Sequence, residues 1–179
     1  MKKIFNKKTM GLCGVVVLVT LFFLVKSYAN KLGDYQMKIG MKINQKVEDS
    51  LIFPGHRQVA YWKIEDGKMG PWDLMRLAKD SDKMTLGEIS KKLGQEPKYS
   101  SKSKLVFDGK EYDKMTDAMY EKNKARVKEE IKIENLQEGS YLIKETDQSF
   151  KESRAKERIR TRVEYIGKES APDGVLNLE

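Results

Sequence analysis

The side chains that most often carry enzyme chemistry are scarce in this 179-residue sequence, in which His56 is the only histidine and Cys13 the only cysteine. The usual zinc sites need several such ligands, and a Ser-His-Asp triad would have to use His56, beside which nothing marks a nucleophile. Asp80-Ser81-Asp82 suggests calcium, but the glycine and the distal glutamate of a calcium loop are misplaced. We therefore predict a non-enzymatic protein with no metal, no cofactor and no small-molecule substrate. A carboxylate-based hydrolase stays open, because paired carboxylates are recognised only in a structure.

The formal net charge of +8 overstates how basic the main part of the chain is. Five of the 35 basic residues lie within the first 26 positions, and all 27 acidic residues follow them. The remainder holds 30 basic against 27 acidic residues, a net charge of +3. This balance is not that of a nucleic-acid-binding protein, so we predict no nucleic-acid partner.

One segment is nevertheless strongly basic. Between residues 151 and 162, only Glu152 and Glu157 oppose six basic side chains, which are Lys151, Arg154, Lys156, Arg158, Arg160 and Arg162. Such a segment can bind an anionic polymer of the cell envelope or a membrane surface. The alternative is a solvated loop followed by the polar face of a strand.

Three aromatic residues could form a binding patch, namely Tyr61, Trp62 and Trp72. Aromatic side chains also dominate small hydrophobic cores. We expect at least two of the three to pack in the core.

The elements that must position these residues are mainly strands. Residues 35–43 alternate strictly, which predicts a half-buried strand with Tyr35, Met37, Ile39, Met41 and Ile43 inward. Further strands are predicted over residues 59–64, 105–107, 130–134, 140–145, 158–166 and 175–178. In the strand at 158–166, the inward residues are expected to be Ile159, Thr161, Val163 and Tyr165. About seven strands without βαβ alternation predict an antiparallel sandwich.

Helices are predicted in the middle of the chain. Residues 72–78 form a short helical turn, and residues 113–129 contain strong helix formers without Gly or Pro. A third helix covers residues 86–93, because Thr85 and Glu88 match a capping box and Gly94 can end the helix.

The segment Ile133–Thr146, Ile-Glu-Asn-Leu-Gln-Glu-Gly-Ser-Tyr-Leu-Ile-Lys-Glu-Thr, resembles the late strand–turn–strand of prealbumin-like (collagen-adhesin B-type) domains. These domains occur in Gram-positive surface proteins and pilins. Phe53-Pro54-Gly55 before residues 59–64, and Pro172-Asp173-Gly174 before the last strand, also fit this family. The resemblance implies a seven-stranded prealbumin-like sandwich, used as a stalk, adhesive or pilus-associated module. Residues 67–128 would then be a helical insertion.

The resemblance also implies a possible Lys–Asn isopeptide crosslink, since many such domains carry one. The chemistry needs a buried neutral lysine and a buried protonated carboxyl group. The matching positions are Lys42, Glu145 and Asn177. However, the alternation of the first strand directs Lys42 outward, where a lysine stays charged. The alternative is that Glu145 is an ordinary sheet-end carboxylate and Lys42 a solvated lysine.

The N-terminus predicts export from the cytoplasm. Residues 9–25 carry no charge and are mostly apolar, and they follow four lysines, which are Lys2, Lys3, Lys7 and Lys8. A helix of this length reaches about 26 Å, the short end of what crosses a bilayer. Basic residues stay on the cytoplasmic side, so the C-terminal domain is expected outside. Ser27 and Ala29 also fit a signal-peptidase site, and cleavage after Ala29 would give a secreted protein.

The sequence thus predicts two parts, a signal or single-pass membrane anchor over residues 1–29 and an extracytoplasmic domain over residues 30–179. The first functional hypothesis is a structural or adhesive cell-surface module. The second is a bitopic accessory subunit of an envelope machine for secretion, conjugation or pilus assembly, in which residues 67–128 would bind the partner. The expected partners are the membrane, through residues 9–25, and other envelope or surface proteins.

Overall fold

The computed structural model describes residues 35–41, 43, 46–48, 50–65 and 67–179. These residues belong to one compact unit that begins at residue 34. Within these ranges, no helix combines the length and the hydrophobicity that crossing a bilayer requires. The predicted anchor at residues 9–25, the cleavage site at Ser27 and Ala29, and Lys42 all lie outside the described residues.

The fold is mainly β, with twelve strands and four helices in the described part of the chain. The strands are β1 (Tyr35–Met41), β2 (Lys46–Glu48), β3 (Leu51–Phe53), β4 (Val59–Ile64), β5 (Lys98–Tyr99), β6 (Lys104–Phe107), β7 (Lys110–Tyr112), β8 (Met115–Thr116), β9 (Lys128–Leu136), β10 (Gly139–Glu145), β11 (Arg162–Ile166) and β12 (Val175–Leu178). The helices are α1 (Pro71–Ser81), α2 (Leu86–Leu93), α3 (Asp117–Asn123) and α4 (Asp147–Ser153).

The strands form three sheets with the orders β12-β1-β9-β6-β7, β11-β10-β4-β5 and β2-β3-β8. The pair β1–β12 is parallel, whereas the other strand pairs of the described residues are antiparallel. The largest core contains Met37 and Ile39 of the first sheet together with Tyr141 and Ile143 of the second. Two sheets that share one apolar core are consistent with a β-sandwich.

Two helices of the predicted insertion cover the other face of the four-stranded sheet. Trp62 of β4 and Leu142 of β10 are paired across the two strands. They pack with Leu77 of α1 and Ile89 of α2 in a second core. The helices α1 and α2 are therefore part of the domain core. Because β10 is covered on both faces, its residues from Tyr141 to Glu145 are all buried.

The helix α2 has the bounds and caps that the sequence predicts. The Thr85 backbone N–H donates to the Glu88 carboxylate at 2.7 Å, and the Glu88 N–H donates to the Thr85 hydroxyl at 3.3 Å. The Thr85 backbone N–H and, as the smaller cause, the Thr85 hydroxyl, which donates to the same carboxylate at 2.9 Å, hold the pKa of Glu88 below its usual value. Gly94 ends the helix in the left-handed region at φ 68°. The strands at residues 59–64, 140–145 and 175–178 and the helix at α1 are also confirmed.

Several predicted elements are wrong in number or extent. About seven strands were expected, and the additional ones have only two or three residues, too few for alternation to be detected. The predicted helix over residues 113–129 shrinks to α3. Its N-terminus is set by Thr116, whose hydroxyl accepts from the Met119 N–H at 3.3 Å. Residues from Lys128 onward enter β9 instead, where Glu129, Ile131 and Ile133 alternate inward.

The predicted strand over residues 158–166 starts four residues late, at Arg162. Ile159 and Thr161 are buried as expected, but Tyr165 is 47% exposed and Ile166 is buried in its place. The strand starts late because the Ile159 N–H donates to the Glu145 carboxylate at 2.9 Å rather than to a neighbouring strand. The residues before β11 therefore follow an irregular path that is fixed by a side chain.

Candidate functional site: a basic groove built on a buried ion pair

A buried ion pair joins two distant parts of the chain. Arg57 lies in the irregular segment before β4, and Glu145 is the last residue of β10. The Arg57 Nε donates to Glu145 Oε1 at 2.6 Å, and Arg57 Nη2 donates to Oε2 at 2.7 Å. Arg57 is 6% and Glu145 is 1% exposed. Such a bidentate ion pair is among the stronger polar contacts in proteins. Removing either partner destabilises the fold, because it leaves the other charge buried and unpaired.

The same pair holds the irregular segment formed by residues 155–161. Glu145 Oε2 accepts a hydrogen bond from the Ile159 N–H, and Arg57 Nη2 donates to the Glu157 carbonyl at 2.9 Å. The segment does not pair with a strand, so these side chains satisfy backbone groups that a neighbouring strand would otherwise bind. The buried pair therefore sets the path of the backbone on either side of Arg158.

Arg158 itself ties this segment to α4. Its guanidinium donates to Asp147 at 2.6 Å and lies over the Phe150 ring, 4.5 Å from the ring centroid. The hydrogen bond from Arg158 lowers the pKa of Asp147. Asp147 belongs to the first turn of α4, whose N-cap is Thr146. The helix α4 was not among the elements predicted from the sequence, although Thr146 followed by Asp147 is a common helix-start signal.

Residues 155–160 and Arg162 line one side of an open groove of about 1090 Å³. Apolar side chains lie along it, namely Ile39, Met41, Ile43, Tyr120, Val127, Ala155 and Ile159. Cationic side chains also line it, namely Arg57, Lys124, Lys128, Lys156, Arg158, Arg160 and Arg162. The carboxylates among the lining residues are Glu157 and Glu179. Cations therefore outnumber carboxylates among the described lining residues.

Four of the six basic residues singled out in the sequence, Lys156, Arg158, Arg160 and Arg162, line this groove. Lys151 lies on α4, and Arg154 ends that helix with a positive φ of 52°; neither lines the groove. Two further cations of the groove, Lys124 and Lys128, lie about 30 residues earlier in the chain and were not predicted from the sequence. Only the fold brings these two lysines to the groove.

The cations of the groove differ in how far they are neutralised. Lys124 pairs with Glu121 at 3.3 Å, and Lys128 lies 3.7 Å from Glu179. In contrast, Lys156 and Arg160 have no ion-pair partner among the residues that the structure describes.

Arg162 is a further incompletely bonded cation in the groove. Its Nε is buried and makes no hydrogen bond within the described ranges. The carboxylate of Glu164 lies 3.7 Å from this nitrogen, and Nη1 donates to the Glu179 carbonyl at 3.4 Å. The groove thus contains a hydrogen-bond donor, Arg162 Nε, for which the described residues supply no acceptor.

Two other buried charges have structural partners. Glu129 Oε1 accepts from the Gly55 N–H at 2.8 Å and from the Ser103 hydroxyl at 2.6 Å. Lys144 donates to the Ser81 and Asp82 carbonyls at the C-terminal end of α1, and burial lowers its pKa. In the described part of the chain, no cluster of His, Cys, Asp or Glu side chains could hold a metal ion.

Of the residues implied for a crosslink, Glu145 and Asn177 are described, and they lie on different sheets. Glu145 ends β10 of the four-stranded sheet, and its two oxygens accept from the Arg57 guanidinium, the Ile159 N–H and the Ser149 hydroxyl. No described lysine is among the donors to this carboxylate. Asn177 lies exposed on β12 opposite Lys38, and no hydrogen bond joins it to Glu145 in the described residues.

The remaining candidates are distributed between surface and core. Trp62 is buried and Tyr61 is half-buried against the main core, whereas Trp72 is 79% exposed. The expectation that at least two of these aromatic residues pack in the core is confirmed. His56 is exposed, with a positive φ of 53°.

No protein-family model matches the chain, and no match was found among curated proteins or among solved structures.

Proposed function

We propose that this chain is a non-enzymatic structural or adhesive module of a Gram-positive-type cell surface. Residues 9–25 tether it to the membrane, or it is secreted after cleavage at Ala29. The observation that carries the proposal is the parallel pairing of β1 and β12, which are the first and last strands of the described domain. The resemblance to prealbumin-like stalk domains and the shared core of two sheets support it.

Parallel neighbours at the two ends of a domain respond to tension in a particular way. The register runs from Gln36 opposite Val175 to Ile39 opposite Leu178. Pulling before β1 and after β12 draws the two strands in opposite directions along their axes. The interstrand hydrogen bonds, which are evenly spaced in a parallel pair, then share the load in shear. A domain that transmits force between its ends benefits from this arrangement.

Single-molecule force spectroscopy tests the load-bearing role. With one handle before Tyr35 and the other after Leu178, we expect a markedly higher unfolding force than with handles before Tyr35 and at Glu138. The second geometry pulls apart the paired ends at Tyr35 and Leu136, so that β1 peels from β9 one pair at a time. Equal forces in the two geometries would contradict the load-bearing role.

A second candidate function is an accessory subunit of an envelope machine, and the outer face of α1 favours it. Trp72 is 79% and Met75 is 65% exposed, one helical turn apart, next to the exposed Arg76. Aromatic residues, Met and Arg are enriched where proteins bind one another. In this candidate function, the face of α1 binds a membrane-protein partner while residues 9–25 hold the chain in place.

A photo-crosslinking residue at position 72, introduced in the full chain in cells, tests this candidate. We expect a crosslink to one specific envelope protein, and we expect no such product from position 99, since Tyr99 is also exposed but lies on β5 rather than α1. Equal labelling from both positions, or none from position 72, would argue against the accessory-subunit function.

A further inference from the structure

We propose that the basic groove is a binding site for an extended phosphodiester polymer of the cell envelope, which occupies it lengthwise. The polymer would be the ligand of the proposed adhesive module, so its biological role rests on the proposed extracytoplasmic location of the domain. The binding of a ligand to the groove is measured independently of the load-bearing role.

The first argument is the charge of the lining. Apart from Arg57, whose charge is matched by Glu145, six cations line the groove, and four of them lie near a carboxylate: Lys124 near Glu121, Lys128 near Glu179, Arg158 near Asp147 and Arg162 near Glu164. Lys156 and Arg160 have no ion-pair partner in the described part of the chain, and the Arg162 Nε lacks a hydrogen bond there. Arginine guanidinium groups are especially suited to phosphate oxygens because they donate two parallel hydrogen bonds.

The second argument is the chemistry of the uncharged lining. No Asn, Gln, Ser, Thr or Asp side chain is among the described residues that line the groove. The acceptors among the described lining side chains are Glu157, Glu179 and the Tyr120 hydroxyl, which are few for a polysaccharide or a peptide, since these present many donors. A phosphodiester group only accepts hydrogen bonds, and the carbon chains between successive phosphates can lie against apolar side chains such as Met41, Val127 and Ile159. The described lining therefore complements a polyanion whose charged groups only accept hydrogen bonds.

The third argument is shape and rigidity. The groove is concave, with Lys124 and Lys128 contributed by the end of α3 and the start of β9 and a second set of cations contributed by residues 155–162. A planar bilayer surface cannot contact both walls, whereas a flexible chain can enter between them. The second wall is held by the buried pair of Arg57 and Glu145, so its cations are positioned before the ligand arrives.

The experiment compares two double variants of the full chain in detergent. The test variant is Lys156→Gln with Arg160→Gln, and the control is Lys83→Gln with Lys91→Gln. All four side chains are exposed, and the control pair lies just after α1 and on α2, outside the groove lining. Both variants lose two positive charges, and their thermal unfolding is measured first to confirm equal folding.

The probe is a synthetic glycerol-phosphate oligomer, titrated by calorimetry at several salt concentrations. We expect the test variant to bind about tenfold more weakly than the wild-type chain, with a smaller salt dependence because fewer counterions are released. The control variant should keep nearly wild-type affinity. Equal weakening in both variants, or no binding of the oligomer by the wild-type chain, overturns the proposal.

Competing ligands are tested in the same titration. Poly-glutamate, a uronic-acid polysaccharide and vesicles containing an anionic phospholipid should each bind more weakly than the oligomer at equal charge. A preference for any of the three overturns the assignment to a phosphodiester polymer. The pulling experiment does not depend on these outcomes, so a failed ligand assignment is distinguishable from a failed load-bearing function.

Discussion

Replacing Glu145 with Gln is expected to lower the free energy of unfolding by about 3–5 kcal/mol, because it leaves the Arg57 guanidinium charged and buried without its counterion. Arg57 is 6% exposed and has no other carboxylate partner among the described residues. The amide of Gln can accept one of the two guanidinium bonds but cannot supply the charge. Urea unfolding followed by circular dichroism measures the loss.

The matched control is Glu169→Gln, which removes one carboxylate from an exposed position. It should change the unfolding free energy by less than about 0.5 kcal/mol. The double variant Arg57→Met with Glu145→Met should recover part of the loss, since removing both charges leaves no unpaired ion. A loss below about 1 kcal/mol in Glu145→Gln would show that the pair is not needed for stability.

The Glu145 variant also tests how the groove is built. Where the variant stays folded, hydrogen exchange at the Ile159 amide should accelerate more than exchange within β9, because its acceptor is the substituted carboxylate. Unchanged protection of Ile159 would mean that the wall at residues 155–161 is held by other contacts.

Truncating Trp62 to Ala is expected to cost about 3–5 kcal/mol of unfolding free energy. Trp62 is 1% exposed and packs with Leu77 and Ile89 under the two helices, and its indole N–H donates to the Ser90 hydroxyl at 3.4 Å. Its removal leaves a cavity between the four-stranded sheet and α1 and α2. The measurement is again the urea unfolding curve.

Trp72→Ala is the control, and since the chain has only these two tryptophans the pair is well matched. Its side chain is 79% exposed, so the expected change is within about 0.5 kcal/mol. Intrinsic fluorescence adds a second readout, because only Trp62 remains in this variant and its emission should shift to longer wavelength on unfolding. Similar losses for both substitutions would contradict the packing of α1 and α2 against the sheet.

Local patterns were sufficient for several elements. The alternation of residues 35–43 predicts β1 and its inward residues, because the period of a strand is expressed in consecutive positions. The helix α2 is predicted with its caps, since Thr85, Glu88 and Gly94 act within one or two turns of it. Residues 113–129 show the limit of such patterns. Helix propensity favours one long helix there, but pairing with β1 and β6 draws the end of the segment into a strand.

The sequence by itself determined which residue types were available: strands with an apolar face, one well-capped helix, a basic segment at residues 151–162 and few catalytic side chains. Only the tertiary structure decided what the basic segment does. Arg57 and Glu145 form an ion pair although they are 88 residues apart. Lys124 and Arg160 line the same groove although they lie in different segments of the chain, and no periodic pattern in the sequence connects them. Contacts of this range depend on how the sheets pack, and a single sequence carries no signal for that packing beyond the apolar pattern itself.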